Sequence, residues 1–256
     1  MGDVAGFLPS RNGLHFPNSW PHVPILTINV PPFSPIPIGD AANGLCGGMA
    51  FAVRDLFDSG LLPPAGTDNP AADSPAFNYL VERLLDSFNL PAGVLQYYAW
   101  MQLPAHDDQI KLFGSTLTLV TGTSSLTVNH AMPVIRAAID AGQPCPLGLI
   151  RVHSADPQML GVNHQVLAWG YDDSGTTTTV KICDSNQPDD DTVTITFDNA
   201  PTTTFSYSGD SQPLLGFFPI TWYSPKDPSP LVAAGQSLAS ASLPRISPQA
   251  AGHGAM

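Results

Sequence analysis

His164-Gln165-Val166-Leu167-Ala168-Trp169-Gly170-Tyr171, followed by Asp172-Asp173-Ser174-Gly175 and then Thr176 through Asp184, reads as two β-strands and the turn between them. The first run is apolar and aromatic. The second alternates, with Val180, Ile182 and Asp184 on one face, so the carboxylate stands at the end of a buried row. With Asp173-Ser174-Gly175 as a three-residue loop and Gly175 left-handed, Asp172 pairs with Thr176 and His164 lies opposite Asp184. Opposed residues have Cβ atoms roughly 4.5 to 5.5 Å apart, which suits a carboxylate to imidazole hydrogen bond. Asn186 has the same parity and is an alternative orienting group.

Outward from this hairpin, the period-2 pattern continues on both sides. Leu147 to Val152, Thr192 to Phe197 and Leu215 to Tyr223 read as further strands of an antiparallel set. Before Gly142 the period is helical. Met49, Ala52, Val53, Leu56 and Phe57 predict a helix over Cys46 to Asp58, with Gly60 as the stop. Phe77, Leu80, Val81, Leu84, Leu85 and Phe88 repeat the spacing after a Ser74 cap and Pro75. Val94, Leu95, Tyr98 and Met101 predict a third helix after Pro91, and Ala131 to Ala141 a fourth, ended by Gly142. Helices followed by an antiparallel sheet predict an α+β fold, with a site expected between the two parts.

The expected organisation is a proline-rich arm over 1–43, extended across the surface and not helical. A helical lobe over 44–142 and a β lobe over 143–226 follow, and then a disordered tail rich in Ala, Ser, Pro and Gly over 227–256. Hydrophobic residues make up 43% of the 256, charged residues 12%, and no apolar run approaches the length of a membrane span. No basic and apolar leader is visible at the start, so a cytoplasmic location is the expectation. The net charge of −12 disfavours nucleic acid as a partner, and no membrane partner is expected. Cys46, Cys145 and Cys183 form no CxxC or CxxH pattern, which argues against structural zinc and against a disulfide framework. No metal or cofactor is expected.

Cys46 stands in Gly44-Leu45-Cys46-Gly47-Gly48-Met49, at the head of the first helix. Unpaired N–H groups and the helix dipole there favour a thiolate. The three glycines clear side chains from around the sulfur and would let a substrate backbone approach. The competing reading is a small buried hydrophobe on a helix-entry turn. For His164 and Asp184 it is a hydrogen-bonded strand end and an Asx-turn in Asp184-Ser185-Asn186-Gln187-Pro188. His106, His130 and His153 read as structural or surface residues. A metal hydrolase built from His153, His164 and Asp184 has no supporting helical His pair.

A cysteine heading a helix in the first half, a histidine opening a strand, and an Asp or Asn one hairpin later resembles the papain-like cysteine peptidases. The likeness is strongest to the bacteriocin-processing peptidase domains of exporters. It is carried by Gly44-Leu45-Cys46-Gly47-Gly48-Met49-Ala50-Phe51, by Asn163-His164-Gln165-Val166-Leu167-Ala168-Trp169-Gly170-Tyr171-Asp172 and by Asp184-Ser185-Asn186-Gln187-Pro188, within residues 38 to 223. The resemblance implies Cys46 as nucleophile, His164 as general base and acid, and Asp184 as orienter, acting through a thioester on a peptide or a small acyl or amide substrate. It also places Asp40 where the family has a glutamine that donates to the oxyanion. Asn43, with the Cys46 backbone N–H, is the substitute donor. The alternative function is a catalytically inactive papain-like protein that binds a partner.

Overall fold

A computed structural model of the chain describes residues 1–20, 26–28, 36–38, 45–112 and 115–233. In chain order the elements are β1 (Gly2–Asp3), α1 (Pro9–Asn12), β2 (Leu26–Ile28), β3 (Ile36–Ile38), α2 (Cys46–Asp58), α3 (Pro75–Phe88) and α4 (Ala92–Met101). Next come β4 (Asp108–Leu112), β5 (Ser115–Val120), α5 (Thr123–Leu126), a π-helical turn over Thr127–Ala131, α6 (Met132–Asp140) and β6 (Cys145–Ile150). The chain continues with a 3₁₀ segment over Pro157–Val162, β7 (His164–Ser174), β8 (Thr177–Cys183), β9 (Thr194–Asp198), β10 (Ser206–Tyr207) and β11 (Gly216–Pro219).

The architecture is α+β. An antiparallel sheet runs β10-β9-β8-β7-β6-β11, and β1 pairs with β7 beyond the end of β6. Helix α2 packs on both α3 and β7, so the cysteine helix is wedged between the helical part and the sheet. Burial follows the alternation read from the sequence: Thr178, Val180 and Ile182 point inward on β8, and Asp184, just past its end, is buried as well. The main core joins Met49, Leu56, Leu80 and Leu84 to Leu147, Val166, Val180 and Ile195. Among the described residues no helix is long and apolar enough to cross a membrane.

Helix α2 has the expected bounds. Helix α3 starts as its sequence dictates, with Ser74 Oγ accepting from Phe77 N–H at 3.2 Å, Pro75 in the first turn and left-handed Asn89 at its end. The approach of α2 to α3 explains two of the glycines differently from the sequence reading. A Cβ on Gly48 would lie 2.1 Å from Leu80 O and 3.0 Å from Leu84 N, and one on Gly47 would meet the side chains of Ser87 and Gln165. Gly48 therefore lets α2 and α3 approach closely, and Gly47 leaves room for the Ser87 and Gln165 side chains; Gly44 lies outside the described residues. Gly48→Ala is expected to push the two backbones apart and to cost about 1–3 kcal/mol by urea denaturation. An unchanged midpoint would contradict this close packing.

Three expectations need correction. The arm is not simply an extended cover. Pro9–Asn12 is a turn of helix, for which Pro9 at the first position is well suited, and Val4, Phe7, Leu14, Phe16 and Trp20 are core residues. The ring of Phe7 packs edge-on against Phe57, and Trp20 against Phe77. The tail does not begin at residue 227: residues 229–233 are helical, and Leu231 is buried in the main core.

The third correction concerns the β7–β8 register. A two-residue turn, Gly175-Thr176, joins Ser174 to its partner Thr177, with Gly175 left-handed at φ 63°. Asp172 therefore pairs with Thr179 and not Thr176. A bulge at Trp169 then shifts the ladder by one, to Ala168–Ile182 and Leu167–Cys183. One step further sets Asp184 against Val166, two residues along the same face from His164. The two side chains meet diagonally.

Candidate active site

Cys46 occupies the first position of α2, where the initial N–H groups of a helix have no acceptor within it. Leu45 supplies no side-chain cap. His164 opens β7 directly beside this helix end, and Asp184 follows β8. The structure brings all three side chains together. His164 Nε2 lies 2.7 Å from Asp184 Oδ1, which leaves Nδ1 as the ring nitrogen turned to the Cys46 sulfur. Gln165, the next residue of β7, places its backbone N–H where it favours the charged form of that sulfur.

The Asp184 carboxylate is buried and fully engaged. Oδ1 accepts from the His164 ring and from the Asn186 backbone N–H at 3.0 Å, and Oδ2 accepts from the Tyr207 hydroxyl. Burial alone would raise its pKa, but the imidazolium and these donors hold it below the usual carboxylate range. The Asn186 amide nitrogen stands 3.4 Å from His164 Nε2. With Nε2–H already donating to Asp184, that nitrogen has no lone pair for the amide. Of the two orienting groups open in the sequence, the geometry therefore selects Asp184 for the imidazole, while Asn186 holds Asp184 through its main chain.

Electrostatics separates Cys46 from the other thiols. Burial pushes Cys145 and Cys183 up to about 12. Burial also pushes Cys46 upward, but the His164 charge, its hydrogen bond and the Gln165 N–H outweigh this and leave the thiol below its ordinary value. For His164, burial works against the charged form, yet Asp184 and the Cys46 thiolate push the imidazole up to about 10. The imidazolium and the thiolate thus each favour the charged form of the other.

Asp40 and Asn43, the oxyanion positions considered from sequence, lie outside the described residues. Among the described residues no three His, Cys, Asp or Glu side chains are gathered as a metal would need, so His153, His164 and Asp184 do not form a donor set. His153 Nδ1 instead meets Leu103 O at 2.8 Å. Two residues at the site were not singled out from sequence. Tyr207 comes from β10, a two-residue strand too short to leave a periodic signal. Asn18 comes from the N-terminal segment, where only its contacts identify it. Comparison with protein-family models, with curated proteins and with solved structures finds no match to this chain in any of the three.

Proposed function

We propose that this chain is a cysteine-nucleophile hydrolase or acyl transferase of papain-like arrangement, acting on an amide or (thio)ester, with peptide bonds the first substrate class to test. The observation that carries this reading is the ordered set Cys46, His164, Asp184 at the head of a helix, with the thiol lowered and the imidazole raised. The Cys46 thiolate attacks the carbonyl carbon, and the resulting oxyanion is held by the Cys46 backbone N–H. His164 Nδ1–H gives its proton to the departing amine or alcohol as the tetrahedral species collapses to a thioester. Water, or a second nucleophile, then attacks with His164 taking its proton, and the thiolate leaves. Asp184 keeps the ring oriented and stabilises the imidazolium throughout.

Incubation with p-nitrophenyl acetate is expected to release a burst of nitrophenolate equal to the enzyme concentration and to leave an acetyl group on Cys46 by mass spectrometry. Cys46→Ala is expected to lose both. Acetylation spread over lysines, with Cys46 unmodified, would count against the reading. A second reading, the inactive binding protein, is favoured by one observation: Cys46 is only 8% exposed and His164 5%. Absence of a burst together with a native fold would select it.

A further inference from the structure

The cysteine and the histidine–aspartate pair come from distant parts of the chain, and one side chain outside the triad bridges Leu45, next to the cysteine, and Asn186, in the loop after Asp184. Asn18 Oδ1 accepts from the Leu45 backbone N–H at 2.5 Å, immediately before Cys46. Its Nδ2 donates to Asn186 Oδ1 at 3.1 Å, and its own N–H donates to Ser185 O at 3.0 Å. Asn186 in turn holds Asp184 Oδ1 through its main chain and stands against the His164 ring. The path from the head of α2 to the imidazole thus runs Leu45, Asn18, Asn186, Asp184, His164, each step a hydrogen bond.

The same segment grips the loop after β8 at two further points that do not lead to the sulfur. Ser10 N–H and Oγ–H bind the Asp191 carboxylate at 2.8 and 2.7 Å, and His15 Nδ1 meets Asp189 Oδ1 at 2.6 Å. These fasten the loop, while Asn18 alone among the three also reaches α2. Neither the amide nor its partners at the loop touch the sulfur, so any effect on it passes through geometry. A misplacement on the order of 1 Å at such a site can cost about 10²-fold in rate.

Resting on the reading of Cys46 as nucleophile, we propose that Asn18 is a positioning residue that sets the separation of the Cys46 thiol and the His164 imidazole by spanning Leu45 N–H and the Asn186 amide. It is not a catalytic residue, since it acts through Leu45 and Asn186.

The test is the pH dependence of iodoacetamide labelling at Cys46, read by mass spectrometry on the full chain, alongside melting temperature. Asn18→Ala is expected to lower the labelling rate near pH 6 by about 10-fold or more and to move its midpoint upward, toward an ordinary thiol. Ser10→Ala and His15→Ala are expected to lower the melting temperature and leave the midpoint in place. Asn186→Ala breaks the same link from the exposed loop and carries the test should Asn18→Ala fail to fold. The double variant is expected to shift the midpoint no further than either single one, because both remove one path. Wild-type midpoints in Asn18→Ala and Asn186→Ala, with Cys46 still fast, would overturn the positioning role alone. A wild-type Cys46 no faster than Cys145 and Cys183 would instead overturn the nucleophile reading, and this inference with it.

Discussion

His164→Ala is expected to slow acylation of Cys46 by about 10²- to 10⁴-fold, the range a positioned general base contributes. The three cysteines of the chain make the argument internally. Burial moves all three thiols upward, and for Cys145 and Cys183 nothing nearby reverses it, so both stand at about 12. Cys46 falls below its ordinary value because His164 supplies a charge and a hydrogen bond. Without the imidazole the burial cost remains, and so does the unfavourable Asp184 charge, so the thiol rises and the thiolate fraction at neutral pH collapses. Stopped-flow ester acylation at Cys46 measures the loss. A variant within a few-fold of wild type would mean that the His164 charge does not sustain the thiolate.

The largest stability effect is expected at Asp55, far from the sulfur on the same helix. Asp55 is fully buried and accepts from Tyr79 Oη at 2.7 Å, Tyr223 Oη at 2.8 Å and the Lys226 backbone N–H at 3.0 Å, and it forms an ion pair with Arg83 at 2.7 Å. Arg83 is itself 1% exposed. Asp55→Ala strands a buried guanidinium with Asp86 and Ser224 O as its remaining partners, and it removes two of the hydrogen bonds that tie the segment after β11 to α2. Breaking a buried pair from one side costs about 3–5 kcal/mol. Urea denaturation reads this directly; a loss below about 1 kcal/mol would show that the remaining partners compensate.

Much of this fold is legible in the residues. The apolar spacing of Met49, Val53 and Leu56 fixes the cysteine helix, Ser74 and Pro75 fix the start of the next, and the alternation of Val180 and Ile182 fixes the inner face of β8. Register is a different matter. A two-residue turn in place of three moves the pairing by an odd number, which by itself would send His164 and Asp184 to opposite faces. The bulge at Trp169 adds one more and restores the parity. The contact therefore exists for a reason local patterns do not contain.

Other parts depend on tertiary partners. Thr123 to Thr127 is a poor helical sequence, but it is helical because Thr123 Oγ1 bonds Leu215 O, Ser124 Oγ bonds Pro201 O, and Thr127 Oγ1 both accepts from Phe217 N–H and donates to Phe217 O. The expected helix over 131–141 is the last part of that longer one. Gly47 and Gly48 signal close approach in the sequence, yet only the packed structure says that the approaching group is α3 and the Gln165 side chain. Asn18 and Tyr207 matter through their contacts, and an isolated Asn or Tyr carries no such information in its neighbours.

The central claim is the thiolate–imidazolium pair, and the most direct measurement is the rate of iodoacetamide labelling at each cysteine between about pH 5 and 9, read residue by residue. The lowered thiol and the raised imidazole together predict that Cys46 labels far faster than Cys145 and Cys183 below pH 7, with a midpoint under the ordinary thiol value. His164 keeps its proton across this range, because its raised pKa lies above it, so the advantage persists to the upper end. Labelling of Cys46 no faster than that of Cys145 and Cys183 at every pH would contradict the account and leave a buried structural thiol in its place.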